Sequence, residues 1–339
     1  MSKKSLERLA LGVVLLLVAV AVLIPLIGWI RQPEVPLLHA RMAETGGWTP
    51  ESLSADVGKS LHLRLTSDDV MHSFAIGQSD QPAVDVKPGE ITEVTLTFDR
   101  PGKYTFYCTR WCSVNHWRMR GVIEVTDPGN TSLASNAQQP PLYVTLGLDI
   151  DAEHHSEEPL PAEKPSAARG AELGVKLPEE ITSQDYYRSH SPEEAFKAIK
   201  SEPKLAELSD QEIWDLVAFA LKSNTAPTSI EKGSELYATN CAACHGETGA
   251  GNGVFAAELA QPKGESHDDI ATGEMTQAPA DFTQAEHMLA ASPAHLQGKI
   301  IRGGMGTGMP YWGPIFTEQE TWDLVAYLWT FVLDLEDQP

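Results

Sequence analysis

The sequence predicts a multidomain chain: one N-terminal transmembrane helix, an all-β sandwich or barrel, and an all-α C-terminal domain. Three observations carry this reading. An apolar run without a charge fills Leu9 to Ile30. Short runs of alternating apolar and polar residues recur between residues 60 and 125, split by Pro-Gly turns. Beyond residue 190, helix caps and amphipathic runs take over. A length of 339 residues leaves room for two or three domains.

The anchor is expected over residues 1–31, with its helix at about 9–30. A run of that length can cross a bilayer once. Lys3, Lys4 and Arg8 precede it and Arg31 follows, so the basic end stays in the cytoplasm and the rest of the chain lies outside. The run is long for a signal-peptide core and no small-x-small cleavage site follows it, which favours an uncleaved anchor. Pro25 kinks such a helix without breaking it.

The β domain is expected over 50–127. Leu61, Leu63 and Leu65 alternate with His62 and Arg64, Ile91 to Phe98 alternates again, and Gly102–Tyr107 and Gly121–Val125 complete the pattern. Pro88-Gly89 and Pro101-Gly102 separate the strands, and Asp127-Pro128-Gly129 closes the domain. Residues 128–180 read as an acidic, Pro-containing linker, with His154 and His155 in a solvated tract.

Helices follow. Ser191-Pro192-Glu193-Glu194 is a helix start with acids at the positive end of the dipole. Ser209 to Glu212 is a capping box leading into Ile213–Leu221. The segment Gln211-Glu212-Ile213-Trp214-Asp215-Leu216-Val217-Ala218 then recurs almost unchanged at Gln319–Ala326. Ser191-Pro192 likewise recurs as Ser292-Pro293, so a duplicated helical tail is expected. The first copy spans 185–225 and the second belongs to a domain over 228–335.

The net charge of −22 argues against nucleic acid and for basic partners. The four cysteines form two close pairs with none left over. Two disulfides are the plain alternative in an exported chain, but metal-ligand residue types flank both pairs. Cys108 and Cys112 can each bridge two metal ions; His116 and Met119 lie further along the same loop, and His72 lies on a strand-like stretch upstream. Soft sulfur and imidazole donors without carboxylates suit copper. Cys241-Ala242-Ala243-Cys244-His245 is a c-type haem attachment sequence, with His245 as the proximal ligand.

Over about residues 55–126 the chain resembles the CuA cupredoxin domain of haem-copper oxidase subunit II. That resemblance implies a site of two copper ions held by His72, Cys108, Cys112, His116, Met119 and the backbone carbonyl of Arg110. Common oxidases carry Glu at the Arg110 position, where it helps to hold magnesium at the subunit interface; Arg offers only donors, which puts that site in doubt. The common form also has two membrane helices rather than one. Residues 231–240 and the final helix, expected over 318–333, are similar to small cytochrome c domains. There Gly308-Met309-Pro310 matches the distal Met-Pro pattern, so Met309 is the expected sixth ligand of one covalent haem c; Met305 is its competitor, and Met275 and Met288 are packing residues. The first helical copy lacks Cys-x-x-Cys-His and is expected to hold no haem.

The combination resembles subunit II of caa-type oxidases. It implies a membrane-anchored electron-transfer subunit, single-pass in a bacterial cell membrane, with its domains on the periplasmic or outer side. The implied partners are membrane lipid, an electron donor such as a soluble cytochrome or quinol-oxidising complex, and a catalytic haem-copper membrane subunit that reduces oxygen. The chain has no catalytic residues of its own. The alternatives are the same role in a CuA-containing nitric oxide reductase and a free-standing tethered carrier.

Overall fold

The computed structural model describes residues 12–13, 15–18, 20–21, 35–79, 81–113, 116–128, 140–260, 278–304 and 308–335. Most of the expected anchor lies outside them. Residues 12–13, 15–18 and 20–21 are helical, with exposed Leu15, Leu16, Leu17 and Val18. No helix of the described residues is long and apolar enough to cross a membrane.

Among the described residues nine strands build the β domain: β1 (Leu37–Ala40), β2 (Trp48–Thr49), β3 (Ser52–Asp56), β4 (Leu61–Ser67), β5 (His72–Ile76), β6 (Val84–Val86), β7 (Thr92–Leu96), β8 (Gly102–Tyr107) and β9 (Arg120–Thr126). One sheet runs β2-β1-β4-β7 and the other β3-β9-β8-β5-β6. The fold therefore begins before residue 50, because β1 pairs in parallel with β4. Alternation in β4 turns Leu63 and Leu65 inward. Between the sheets Trp48 meets Phe74 and Phe106 edge-on, at 5.6 and 5.8 Å between ring centroids. Each such buried apolar side chain contributes about 1.5–3 kcal/mol.

The C-terminal part contains α1 (Leu142–Thr145), α2 (Ala167–Glu172), α3 (Gln184–Ser189), α4 (Pro192–Lys200), α5 (Asp210–Ser223), α6 (Pro227–Asn240), α7 (Ala242–His245), α8 (Ala256–Leu259), α9 (Ala285–Ala290), α10 (Pro293–Arg302) and α11 (Glu318–Trp329). Capping boxes start α4 (Ser191 with Glu194), α5 (Ser209 with Glu212) and α11 (Thr317 with Glu320). The final helix ends at Trp329 rather than at residue 333.

The duplication reaches further than the repeated tail. Helix α6 crosses α11 at Gly233, where an added Cβ would lie 2.0 Å from the Asp323 carbonyl oxygen and 2.8 Å from the Tyr327 Cβ. Helix α2 crosses α5 at Gly170 in the same way, 2.2 Å from the Asp215 carbonyl oxygen and 2.9 Å from the Phe219 Cβ. Gln211 bonds Asp215 as Gln319 bonds Asp323. Counted from the two crossing glycines, Pro178, Ile181 and Thr182 stand where the second copy has Cys241, Cys244 and His245. The first copy thus begins at α2, before residue 185, and has neither thiol nor imidazole at those positions. Phe196 stacks on Trp214 in its core at 4.5 Å.

This corrects the reading of 128–180 as linker. Residues 140–180 are folded onto the helical part. Ile150 is buried, the Ser156 amide donates to Glu286, and Trp214 Nε1 donates to the Pro159 carbonyl. His154 Nε2 lies 3.1 Å from His295 Nδ1 on α10, so this histidine is not merely solvated. Lys164 donates to Thr330, and Arg169 is paired with the buried carboxylate of Asp215. Once Pro and acidic residues find such partners, composition alone no longer marks a linker.

The β and helical domains touch through directed bonds. Gln78 donates from its amide nitrogen to Ile315 and from Nε2 to Gly313, at 2.8 and 2.6 Å. Arg120 Nη1 donates to the Tyr311 carbonyl at 2.7 Å, with its guanidinium over the Tyr311 ring. A cavity of about 180 Å³ remains between the domains, bordered by Tyr107, Thr109, Thr239, Asn240 and Glu320.

Candidate metal and haem sites

Pairing Ala75 with Tyr107 and Ile76 with Phe106 sets the register of β5 against β8. Continued past the ladder, it brings His72 level with the loop that leaves β8. That loop carries Cys108, Arg110, Cys112, His116 and Met119 before β9 begins. It is pinned at both ends: the Cys108 amide donates to the Met119 carbonyl, which also accepts from Trp48 Nε1. The Thr109 amide donates to Ser73 Oγ at 2.8 Å.

Ligand-type atoms converge there. Donor atoms of His72, Cys108 and Cys112 all lie within 4.8 Å of one another. Cys108 Sγ is 3.9 Å from His72 Nδ1 and 3.4 Å from the Arg110 carbonyl oxygen. Cys112 Sγ is 3.3 Å from Met119 Sδ. His116 is buried, and neither of its ring nitrogens has a partner among the described residues. Two buried unpaired nitrogens beside two thiols call for a ligand.

The electrostatics suit thiolate chemistry. A hydrogen bond from Cys112, reinforced by His72 against the cost of burial, holds the Cys108 pKa well below that of a free thiol. The same pairing pushes Cys112 up, so the first proton leaves Cys108. Burial lowers the His72 pKa, but Cys108 and Asp69 outweigh it and leave it raised. His72 Nε2 lies 2.7 Å from Asp69 Oδ1, which keeps Nδ1 turned toward the sulfurs. Two thiols, two imidazoles, a thioether and a carbonyl fit copper, with the Asp69 carboxylate bonded behind a histidine.

Arg110 holds the bidentate partner Asp85 on β6, at 2.8 and 3.0 Å. Its side chain is thus committed to an ion pair across the sheet, while its carbonyl faces Cys108.

The second site starts where α6 ends. Cys241 closes that helix, and Cys244 and His245 follow within the single turn of α7. Burial pushes the two thiols up, to about 12 and about 11. His245 Nδ1 donates to the Ala280 carbonyl at 3.1 Å, leaving Nε2 for a metal, and Phe282 stacks on the ring at 4.7 Å. Tyr237 reaches back to the Gly246 carbonyl at 2.8 Å. The indole nitrogens of Trp322 and Trp329 are buried without partners among the described residues. The neighbouring free thiols and the His245 ring fixed through Nδ1 fit a covalently held haem. Met309 sits half-buried in a bridge with Gly304, in the loop between α10 and α11. His245 and Met309 thus come from separate elements. Met305 and Met275 lie outside the described residues, and Met288 is buried packing.

The sequence reading missed Asp69, although its position three residues before His72 was visible. It also missed Trp48, Trp111, Arg120 and the Ala280 carbonyl, each of which makes a long-range hydrogen bond.

A β-sandwich with a thiolate- and imidazole-rich loop, joined to a helical Cys-x-x-Cys-His domain, defines a class of copper and haem electron-transfer proteins. Residues 49–126 match the family model for the periplasmic domain of cytochrome c oxidase subunit II, and residues 230–331 match the model for cytochrome c. The chain therefore carries a subunit II periplasmic domain followed by a cytochrome c domain; the first implies copper and the second haem.

The chain is 35% identical over 81 residues to cytochrome c oxidase subunit 2 of Thermus thermophilus, covering 24% of this chain and 59% of that protein. A second subunit 2, from a designated strain of the same species, gives the same identity and length of match over 48% of its own length. The chain thus spans about half the length of the curated relatives it matches. Among solved structures, a haem-copper terminal oxidase dimer matches at 21% identity, covering 36% of this chain and 99% of that one, with a TM-score of 0.24. The periplasmic domain of cytochrome oxidase subunit II from Bradyrhizobium japonicum matches at 17% identity, 29% and 87% coverage, and a TM-score of 0.25.

Proposed function

We propose that this chain is a membrane-anchored electron-transfer subunit. It accepts one electron at its cytochrome domain, moves it to its β domain, and delivers it to a catalytic haem-copper membrane subunit that reduces oxygen. The convergence of His72, Cys108 and Cys112 within 4.8 Å, next to a fixed Cys-x-x-Cys-His domain, carries this reading. When bound, one haem c and a pair of coppers supply reversible one-electron chemistry.

The chain's residues have distinct parts. Cys241 and Cys244 would tether a haem, with His245 Nε2 and Met309 as its iron ligands. Cys108, Cys112, His72, His116, Met119 and the Arg110 carbonyl would hold the coppers. Asp69 fixes the His72 ring, and Ala280 fixes His245. The chain's own part is electron transfer, and oxygen chemistry belongs to the partner. Residues 9–30 anchor the chain in the bacterial membrane with its folded domains outside, where the donor is a soluble cytochrome or a quinol-oxidising complex.

Arg110 favours a second reading. Arg110, ion-paired with Asp85, stands where a Glu would serve an interface magnesium, as expected of a copper-containing nitric oxide reductase subunit. Metal analysis of the full chain tests the shared core of both readings. Two coppers per covalent haem support it; a chain that retains haem but takes up no copper contradicts it.

A further inference from the structure

We infer that Trp111 is the electronic coupler between the two centres, joining the copper-ligand loop directly to the haem-attachment helix. The assignment rests on the electron-transfer reading above. Trp111 lies between Cys108 and Cys112, so its backbone belongs to the loop that carries both sulfurs. Its ring lies 4.0 Å, centroid to centroid, from that of His116, the buried imidazole whose nitrogens have no partner among the described residues. Its Nε1–H donates to the Thr239 carbonyl at 3.0 Å. Thr239 is in the last turn of α6, and Asn240 alone separates it from Cys241. A second aromatic of the haem domain, Phe255, lies 5.1 Å from the same indole. The Phe255 amide in turn donates to Ala243, between the two haem cysteines.

One side chain therefore touches a copper-ligand imidazole on one side and, on the other, two elements bonded to the haem-attachment turn. The interdomain bonds of Gln78 and Arg120 do not share this property. Gln78 reaches Gly313 and Ile315, which are ligands of neither centre. Arg120 follows Met119 and reaches Tyr311, but it offers a cation over a ring rather than a ring on a ligand. The transfer moves a single electron from reduced haem to the oxidised copper pair, with no bond made or broken. A polarisable indole between a copper-ligand imidazole and two elements bonded to the haem-attachment turn shortens the unbridged gap for that electron.

The test uses the full haem- and copper-loaded chain. The haem is reduced by a fast pulse, and re-oxidation of haem and reduction of copper are followed optically at several dilutions. Trp111→Leu is compared with wild type and with Gln78→Ala, which loosens docking without touching a ligand. Trp111→Leu should slow the dilution-independent step about tenfold or more, equivalent to about 1.4 kcal/mol of barrier. Its haem and copper spectra should be unchanged, and Gln78→Ala should stay near the wild-type rate. Equal rates for Trp111→Leu and wild type overturn the assignment, as does an equal slowing by Gln78→Ala. If Trp111→Leu loses copper, Trp111→Phe decides. It keeps a ring beside His116 and loses only the N–H to Thr239, so it should bind copper and transfer more slowly than wild type. A wild-type rate in copper-loaded Trp111→Phe then overturns the coupling role of that bond.

In the metal-free chain, Trp111→Leu should raise amide exchange at Cys241–His245, and unchanged protection contradicts the contact. A loaded wild-type chain that shows no dilution-independent transfer defeats the functional reading itself rather than the role of Trp111.

Discussion

His72 Nε2 lies 2.7 Å from Asp69 Oδ1, so the carboxylate holds the imidazole with Nδ1 facing Cys108. Asp69 is itself held by the amides of Met42 and Val70 at 2.7 and 2.6 Å, which ties His72 to the start of the sandwich. Loss of such a supporting partner typically costs about 10–100-fold in metal affinity. Asp69→Asn should therefore weaken copper binding by roughly that factor in a chelator competition while leaving haem content unchanged. Undiminished affinity would show that the ring needs no such support.

Cys112 and Met119 meet at sulfur, 3.3 Å apart, and both lie far in sequence from the second cysteine pair. Cys112→Ser should abolish the copper spectrum and leave the haem spectrum intact. Loss of both together would mean that the two domains do not mature independently.

Met309→Ala should change the haem spectrum and lower the midpoint potential, because a thioether opposite His raises it. A redox titration checks this. An unaltered spectrum would move the distal role to Met305.

The two helix crossings predict paired effects. Gly170→Ala and Gly233→Ala each place a Cβ against a carbonyl, 2.2 Å from that of Asp215 and 2.0 Å from that of Asp323. Overpacking of this kind costs about 1–3 kcal/mol. Thermal unfolding should show both losses, but only Gly233→Ala should perturb the haem. A haem change from Gly170→Ala would contradict the separation of the two copies.

Asp151 is bonded by Arg302 and Lys299, and the Arg302 bond above all brings its pKa down to about 2. A depressed carboxylate stabilises the fold above its ordinary pKa and loses that contribution as pH falls through the lowered value. The docking of residues 140–160 on α10 should therefore weaken between about pH 4 and pH 2. Asp151→Asn should remove that pH dependence, read as protease sensitivity of the segment at neutral and acid pH. Identical profiles for variant and wild type would exclude this pin.

What the sequence disclosed depended on the range of each interaction. The cluster of sulfur and imidazole donors was legible because Cys108 to Met119 is one short stretch and only His72 comes from elsewhere. Trp111 was not, because its meaning lies in a bond to Thr239 in another domain. The repeat was visible in α5 and α11, which share Trp, Asp, Leu, Val and Ala in register. Its other half was harder to see, since α2 and α6 share only a short Gly-x-Glu-Leu run, at Gly170–Leu173 and Gly233–Leu236, and the spacing between helices differs in the two copies. Strands β1 and β6, of four and three residues, were too short for alternation to show. The folded part of 128–180 was misread because its order comes from partners such as Asp215, Trp214 and Asp334, far along the chain.

The most direct test of the central claim is gas consumption by the detergent-solubilised complex captured through this chain and supplied with a reducing donor. The account predicts oxygen uptake that disappears with Cys108→Ser. Nitric oxide consumption without oxygen uptake would replace the oxidase partner by a reductase. Consumption of neither gas, with no large membrane subunit captured, would contradict the account and leave a tethered carrier.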